Sequence, residues 1–110
     1  MGEPVGAREE WTPPGALYQG ALFYGESHLR KREYVKAADH FRRAAGAAPT
    51  EADHELARAL VHLSAAGQNR LAGDARGFER QLAHARRRLA PYLPESRRLD
   101  LAALVALVEE

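Results

Sequence analysis

The chain of 110 residues contains no cysteine, which excludes a disulfide framework, thiolate catalysis and thiolate metal ligands. It also lacks any uncharged stretch, free of turn residues, near the ~20 apolar residues that a membrane-spanning helix needs. No basic segment followed by an apolar one marks a signal peptide. We therefore expect a cytoplasmic protein without a membrane segment.

Residue patterns that mark enzyme active sites are also scarce. Serine occurs only at positions 27, 64 and 96, in no context typical of a catalytic nucleophile, and no glycine-rich phosphate-binding loop is present. The formal net charge of +1 gives no overall attraction to nucleic acid or to a membrane surface. The sequence therefore favours a non-enzymatic protein without a cofactor.

Length and composition are typical of one small globular domain. The chain is 45% apolar and 28% charged, which is ordinary for a folded protein and unlike a disordered one. Residues 1–12 hold two glycines, a proline and mixed charges, and we expect them to form a flexible N-terminal arm. Residues 13–110 are expected to form a single helical domain.

Apolar and small residues recur at helical spacing in five segments, and no segment alternates for long enough to predict a strand. Helices are expected to begin at side-chain caps and to end at glycine or proline. The expected N-caps are Thr12, Thr50, Asp74 and Asp100, and the expected stops are Gly46 with Pro49, and Pro91 with Pro94. We therefore predict an all-α fold of five helices.

A repeat of 41 residues lies within this pattern. The spacing of Ala37, Phe41 and Ala44 in the second helix returns in the fourth helix as Phe78, Leu82 and Ala85, and Leu22 corresponds to Leu63. A single helical hairpin cannot bury its apolar stripe, so two similar hairpins are expected to stack. The prediction is a bundle of two stacked hairpins plus a C-terminal capping helix.

The first hairpin resembles a tetratricopeptide repeat (TPR). The residues that match the spacing of the motif are Gly25, Tyr34, Ala37, Phe41, Ala44 and Pro49. In the second hairpin Gly73, Asp74 and Ala85 fit the motif, whereas Phe78 takes the place of a small residue. The resemblance implies two TPR-like hairpins whose helices approach closely at the small positions.

The region from about residue 16 to residue 108 also resembles the all-helical family called domain of unknown function 309. The resembling segments are "GESHLRKREYVKAADHF", "ALVHLSAAG", "GDARGFERQLAHARRRLAPY" and "LDLAALVALV". The His-Glu pair that marks this family corresponds to Ala38 and Asp39 here, so the signature is degenerate. The resemblance implies a helical scaffold and supplies no activity.

The tripeptide Ala-Asp-His occurs at 38–40 and again at 52–54, which raises the question of a metal or acid/base site. At about 100° per residue, Asp39 points about 160° away from the apolar face of its helix, and His54 does the same on the next helix. We therefore interpret the repeated aspartates and histidines as parts of two solvated helix faces.

An alternative function uses some of the same residues. A small metal-binding protein or enzyme would need a site between the first three helices, and its candidate ligands are His28, Asp39, His40 and His62. Such a site requires three or four ligands that converge on one ion. The favoured interpretation contains no metal and no catalytic residue.

Arginine is concentrated in and after the fourth helix. Residues 76–98 hold seven arginines and two acidic residues, and Arg80, His84 and Arg87 form one stripe opposite the apolar face. A patch of this kind can bind phosphate groups or an acidic partner. No aromatic residues alternate with the arginines for base stacking, so nucleic-acid binding is the weaker alternative.

The first helix has more apolar residues than one core face requires. Phe23 lies about 120–140° from the core stripe and Tyr24 lies on its flank, which favours contacts with a partner protein or a second copy of the chain. Packing of Phe23 against Trp11 of the arm is the alternative. We predict an interaction or scaffold module that uses Phe23 and Tyr24, with Arg80 and Arg87 as further contact candidates.

Overall fold

The structure is a computed structural model that describes residues 13–110. The predicted N-terminal arm, the cap at Thr12 and the contact of Trp11 lie outside the described residues. The described part contains five α-helices, which confirms the predicted all-α class. Their bounds are α1 (Pro13–Arg30), α2 (Tyr34–Gly46), α3 (Glu51–Leu71), α4 (Ala75–Leu89) and α5 (Leu101–Glu109).

Three of the predicted N-caps are formed. The hydroxyl oxygen of Thr50 accepts a hydrogen bond from the backbone N–H of Asp53 at 3.1 Å. Asp74 accepts one from Gly77 at 2.9 Å, and Asp100 accepts one from Ala103 at 3.0 Å. Each cap satisfies a backbone donor that the first helical turn leaves unpaired. These helix starts were predictable because a cap is a local interaction within four residues.

The expectation of helix without any strand is wrong at one place. A hairpin of two very short antiparallel strands, β1 (Glu95–Ser96) and β2 (Leu99–Asp100), lies between α4 and α5. Its turn residues Arg97 and Arg98 have φ angles of 51° and 64°, the left-handed pair that a tight hairpin turn requires. Strands of two residues are too short to show alternation, and arginine is not a typical turn residue.

Helix α1 packs against α2, α2 against α3, and α3 against α4, while α5 packs against α3 and α1. The largest completely buried side chains come from every helix and from the hairpin: Tyr18, Leu22, Leu29, Phe41, Leu56, Leu60, Leu63, Leu89, Leu99, Leu101, Leu104 and Val108. The buried face of α2 contains Tyr34, Ala37, Phe41 and Ala44, as the spacing predicted. The TPR-like pairing of the helices stays a prediction.

Two glycines bring neighbouring helices close together. A Cβ atom on Gly25 of α1 would lie 2.4 Å from the Phe41 ring of α2, and one on Gly67 of α3 would lie 2.4 Å from the Tyr34 ring. Both distances are too short for any larger side chain, so α2 inserts an aromatic ring against each neighbour at a position without a side chain. None of the described helices is both long and apolar enough to cross a membrane.

Candidate interaction surface on helix α1

Helix α1 is uncharged from Pro13 to Gly25. One face supplies Tyr18, Leu22 and Leu29 to the core. The opposite face exposes Leu17 at 67%, Tyr24 at 64% and Phe23 at 39% of their surface. A solvated helix face normally carries charge, so this exposed face is unusual in having three large apolar residues and no charged one over more than three turns.

Gly20 lies in the middle of the exposed face. A Cβ atom at this position would have no heavy atom within 4 Å, in contrast to Gly25 one and a half turns later. Glycine inside a helix costs roughly 0.5–1 kcal/mol relative to alanine, and no packing in the described part of the chain requires it here. Gly20 therefore leaves a shallow depression in the surface between Leu17, Phe23 and Tyr24.

A groove of about 410 Å³ runs between α1 and α2 beside this face. Its lining residues are Ala16, Leu17, Gly20, Ala21, Tyr24, His40, Arg43 and Ala47. Small residues of α1 together with Leu17 and Tyr24 form one wall, and His40 and Arg43 of α2 supply the polar groups of the other. A second depression, of about 430 Å³, lies on the other side of Gly20 beside Phe23, Tyr24 and Ser27.

Three aromatic rings form a stack at one end of the groove. The ring centroids of Tyr24 and His40 are 5.4 Å apart, and those of His40 and His28 are 5.1 Å apart with an angle of 6° between their planes. His28 Nδ1 also lies 3.0 Å from Glu33 Oε1. The stack positions His40 in the groove wall. The position of the His40 ring therefore depends on residues from both helices.

His40 of this stack and the neighbouring Glu33 have shifted pKa values. The pKa of His40 lies below its ordinary value because of desolvation, with further lowering by the neighbouring His28 and Arg43. The hydrogen bond from His28 lowers the pKa of Glu33. At neutral pH the Glu33 carboxylate is therefore charged and His40 is neutral, which leaves Arg43 as the cation of the groove.

The structure separates the four candidate metal ligands. His28 and His40 lie together, but Asp39 is exposed and accepts a hydrogen bond from Arg42 at 3.0 Å. His62 lies between α3 and α4, where its Nδ1 is 2.9 Å from Gln81 Oε1 and its ring is 4.1 Å from the ring of His84. Within residues 13–110, no group of three or more His, Cys, Asp or Glu side chains could hold a metal ion.

The arginine-rich segment is partly neutralised by ion pairs. Arg86 pairs with Glu109, Arg88 with Glu55, and Arg97 with Asp53. Arg80 and Arg87 are exposed on α4, and Arg87 lies 3.5 Å from His84. The cationic surface is therefore smaller than the count of seven arginines indicates.

The interpretation of Asp53 as part of a solvated face is wrong. Asp53 is only 6% exposed, and its carboxylate binds Arg97 through two hydrogen bonds of 2.8 and 2.5 Å. The Thr50 hydroxyl donates to the same carboxylate at 2.8 Å. Charges this deeply buried are stable only when they are paired and hydrogen-bonded, which both partners achieve here.

The helical spacing of α3 could have predicted that Asp53, one partner of this ion pair, is buried. Asp53 lies three residues before Leu56 and seven before Leu60, on the apolar stripe of α3, where an unpaired carboxylate is costly. Its partner is 44 residues away in the hairpin turn, which no local pattern indicates. The Tyr18 hydroxyl donates to the Asp53 carbonyl oxygen at 2.6 Å, and burial raises the pKa of Tyr18.

No protein-family model, curated protein or solved structure matches this chain. The resemblance to domain of unknown function 309 therefore stays a prediction that rests on the quoted segments alone.

Proposed function

We propose that this protein is a non-catalytic interaction module that binds a protein through the exposed face of α1. The observation that carries the proposal is the uncharged helix from Pro13 to Gly25, which exposes Leu17, Phe23 and Tyr24 around Gly20. Exposed aromatic residues next to a concave apolar surface are typical contact residues of protein interfaces. The partner is another protein or a second copy of this chain.

The groove beside α1 supports the same proposal. Its volume of about 410 Å³ is within the range of sites that accept several side chains or a small ligand. Its walls belong to two packed helices, so the surface is largely formed before binding and little ordering of the protein is needed. The proposal includes a cytoplasmic location, which the lack of cysteine supports.

The experiment compares aromatic residues on α1 with equally exposed apolar residues elsewhere. The tagged wild-type chain and the variants Phe23→Ala and Tyr24→Ala are incubated with lysate of the native host, bound proteins are quantified by mass spectrometry, and self-association is measured by sedimentation velocity. Val35→Ala on α2 and Leu71→Ala on α3 are matched controls, because these residues are 56% and 67% exposed.

We expect each α1 variant to weaken the main interaction at least about tenfold, which corresponds to about 1.4 kcal/mol and is ordinary for an aromatic contact residue. The two controls should bind like wild type. Equal loss in all four variants would contradict a specific site on α1. Binding of a metal or small molecule that His28→Ala or His40→Ala abolishes, in the absence of any protein partner, would favour the alternative function instead.

A further inference from the structure

The internal repeat allows the groove to be compared with its counterpart in the same chain. At the offset of 41 residues, the groove residues Ala21, His40 and Arg43 of the first helix pair correspond to His62, Gln81 and His84 of the second. The three residues of each pair also lie together in space: the first set lines the groove between α1 and α2, and the second set forms a contact cluster between α3 and α4.

In the second pair, side chains of the chain itself fill this position. The His62 imidazole contacts Gln81 and packs edge-on against His84, with ring centroids 4.1 Å apart. Arg88, which corresponds to Ala47, reaches Glu55 at 3.4 Å. In the first pair Ala21 and Ala47 offer only methyl groups, so the equivalent space stays open in front of His40 and Arg43.

The charges around the groove favour an acidic occupant. Among residues 13–110, no carboxylate lines the groove and the Arg43 guanidinium has no ion pair. The nearby carboxylates are engaged elsewhere: Asp39 binds Arg42, Glu26 binds Arg30, and Glu33 binds His28 and Lys36. A carboxylate supplied from outside would therefore find an unpaired cation next to an apolar surface, where ion pairs are stronger than in open solvent.

We propose that the groove binds an acidic amphipathic segment of a partner protein. An apolar or aromatic side chain of that segment fills the space that His62 occupies in the second pair, and a neighbouring Asp or Glu pairs with Arg43. This inference rests on the proposed function and specifies the partner and the site. A second copy that docked through its own α1 face would bring no carboxylate to Arg43, because Pro13 to Gly25 is uncharged.

The test uses the full-length chain and a phage-displayed library of random peptides about 14 residues long, or about four helical turns. Binding of the enriched peptides is then measured by fluorescence anisotropy. Ala21→His fills the groove with the residue that the second pair has, and Arg43→Glu reverses its charge. Ala83→His and Arg76→Glu, at exposed positions of α4, make the same chemical changes away from the groove.

We expect the enriched peptides to place Leu or an aromatic residue within one helical turn of Asp or Glu. Their affinity should fall at least about tenfold in Ala21→His, and Arg43→Glu should select basic peptides instead. The α4 controls should bind like wild type.

Three outcomes would overturn the inference: no enrichment, enriched peptides without acidic residues, or binding that Ala21→His leaves unchanged. A dimer in sedimentation that Ala21→His abolishes would also overturn it, in favour of a second copy. Binding that depends on Phe23 but on neither Ala21 nor Arg43 would contradict the groove inference alone. If no interaction of the protein depends on the exposed face of α1, the proposed function is contradicted as well.

Discussion

In Ala38-Asp39-His40 the aspartate lies in solvent and the histidine lies against a groove, whereas in Ala52-Asp53-His54 the aspartate is buried and the histidine lies in solvent. The two tripeptides have the same sequence and both lie in α-helices. Asp39 is in the second turn of α2, opposite its buried face, while Asp53 is in the first turn of α3, above Leu56 and Leu60. Helix phase therefore determines the role of each residue, and residue type does not.

The difference also shows why a repeated tripeptide is poor support for a shared site. An aspartate on the apolar stripe needs a cation, and Asp53 has Arg97. An aspartate on the solvent-exposed face needs no cation. The pair of Asp39 with Arg42, three residues later, is a surface contact. Whether candidate site residues meet depends on the packing of the helices. The packing brings His28 and His40 together and keeps Asp39 and His62 apart from them.

The largest expected effect comes from neutralising the buried aspartate. Asp53→Asn removes the buried carboxylate that binds Arg97, and breaking a buried pair in this way costs about 3–5 kcal/mol of unfolding free energy. Asp39→Asn is the matched change in the other tripeptide and should cost less than about 0.5 kcal/mol. Urea denaturation followed by circular dichroism measures both values.

Similar losses of unfolding free energy in the two variants would mean that the Asp53–Arg97 pair contributes no more than a surface pair. The double variant Asp53→Asn, Arg97→Gln provides a further control. Its loss of unfolding free energy should be smaller than the sum of the losses in the two single variants, because both charges of the pair are removed together.

Two glycines of α1 extend the comparison to a residue type without a side chain. Gly25→Ala should destabilise the fold by about 1–3 kcal/mol, because the new methyl group would overlap the Phe41 ring. Gly20→Ala should stabilise it by roughly 0.5–1 kcal/mol, because the site is open and alanine favours the helix. Changes of the same sign in the two variants, measured by thermal denaturation, would contradict the close approach of α1 and α2.

The helices and their caps were predictable because their signals are local. Thr50, Asp74 and Asp100 each bind a backbone N–H three residues away, and the apolar stripes of α2 and α4 follow the helical period. The hairpin before α5 was missed because two-residue strands carry no period, and because Arg97 and Arg98 occupy turn positions that glycine or asparagine usually occupies.

The candidate site was predictable only in part. The position of Phe23 and Tyr24 away from the core follows from counting residues along α1, and both are exposed. The groove could not be predicted, because it depends on how α1 and α2 pack. The small side chains of Ala21 and Ala47 leave the space between these helices open. The Asp53–Arg97 pair depends on the path of the chain over 44 residues, which a single sequence does not specify.

The smallest expected effect tests the histidine in the groove. Desolvation, His28 and Arg43 hold the pKa of His40 below its ordinary value, whereas in the unfolded chain His40 titrates near 6.5. As pH falls through about 6.5, the unfolded state therefore binds more protons than the folded state, and the fold loses stability. The pKa of His84 is lowered too, so this residue contributes with the same sign.

We therefore expect wild type to lose more unfolding free energy than His40→Gln when the pH falls from about 7.5 to about 5.5, with His84→Gln removing a further part of the slope. Urea denaturation at a series of pH values measures the difference. An identical slope in wild type and His40→Gln would mean that desolvation and the neighbours of His40 do not oppose its charge. The expected slope would instead show that His40 is neutral at physiological pH, so that the attraction of the groove for an acidic segment comes from Arg43.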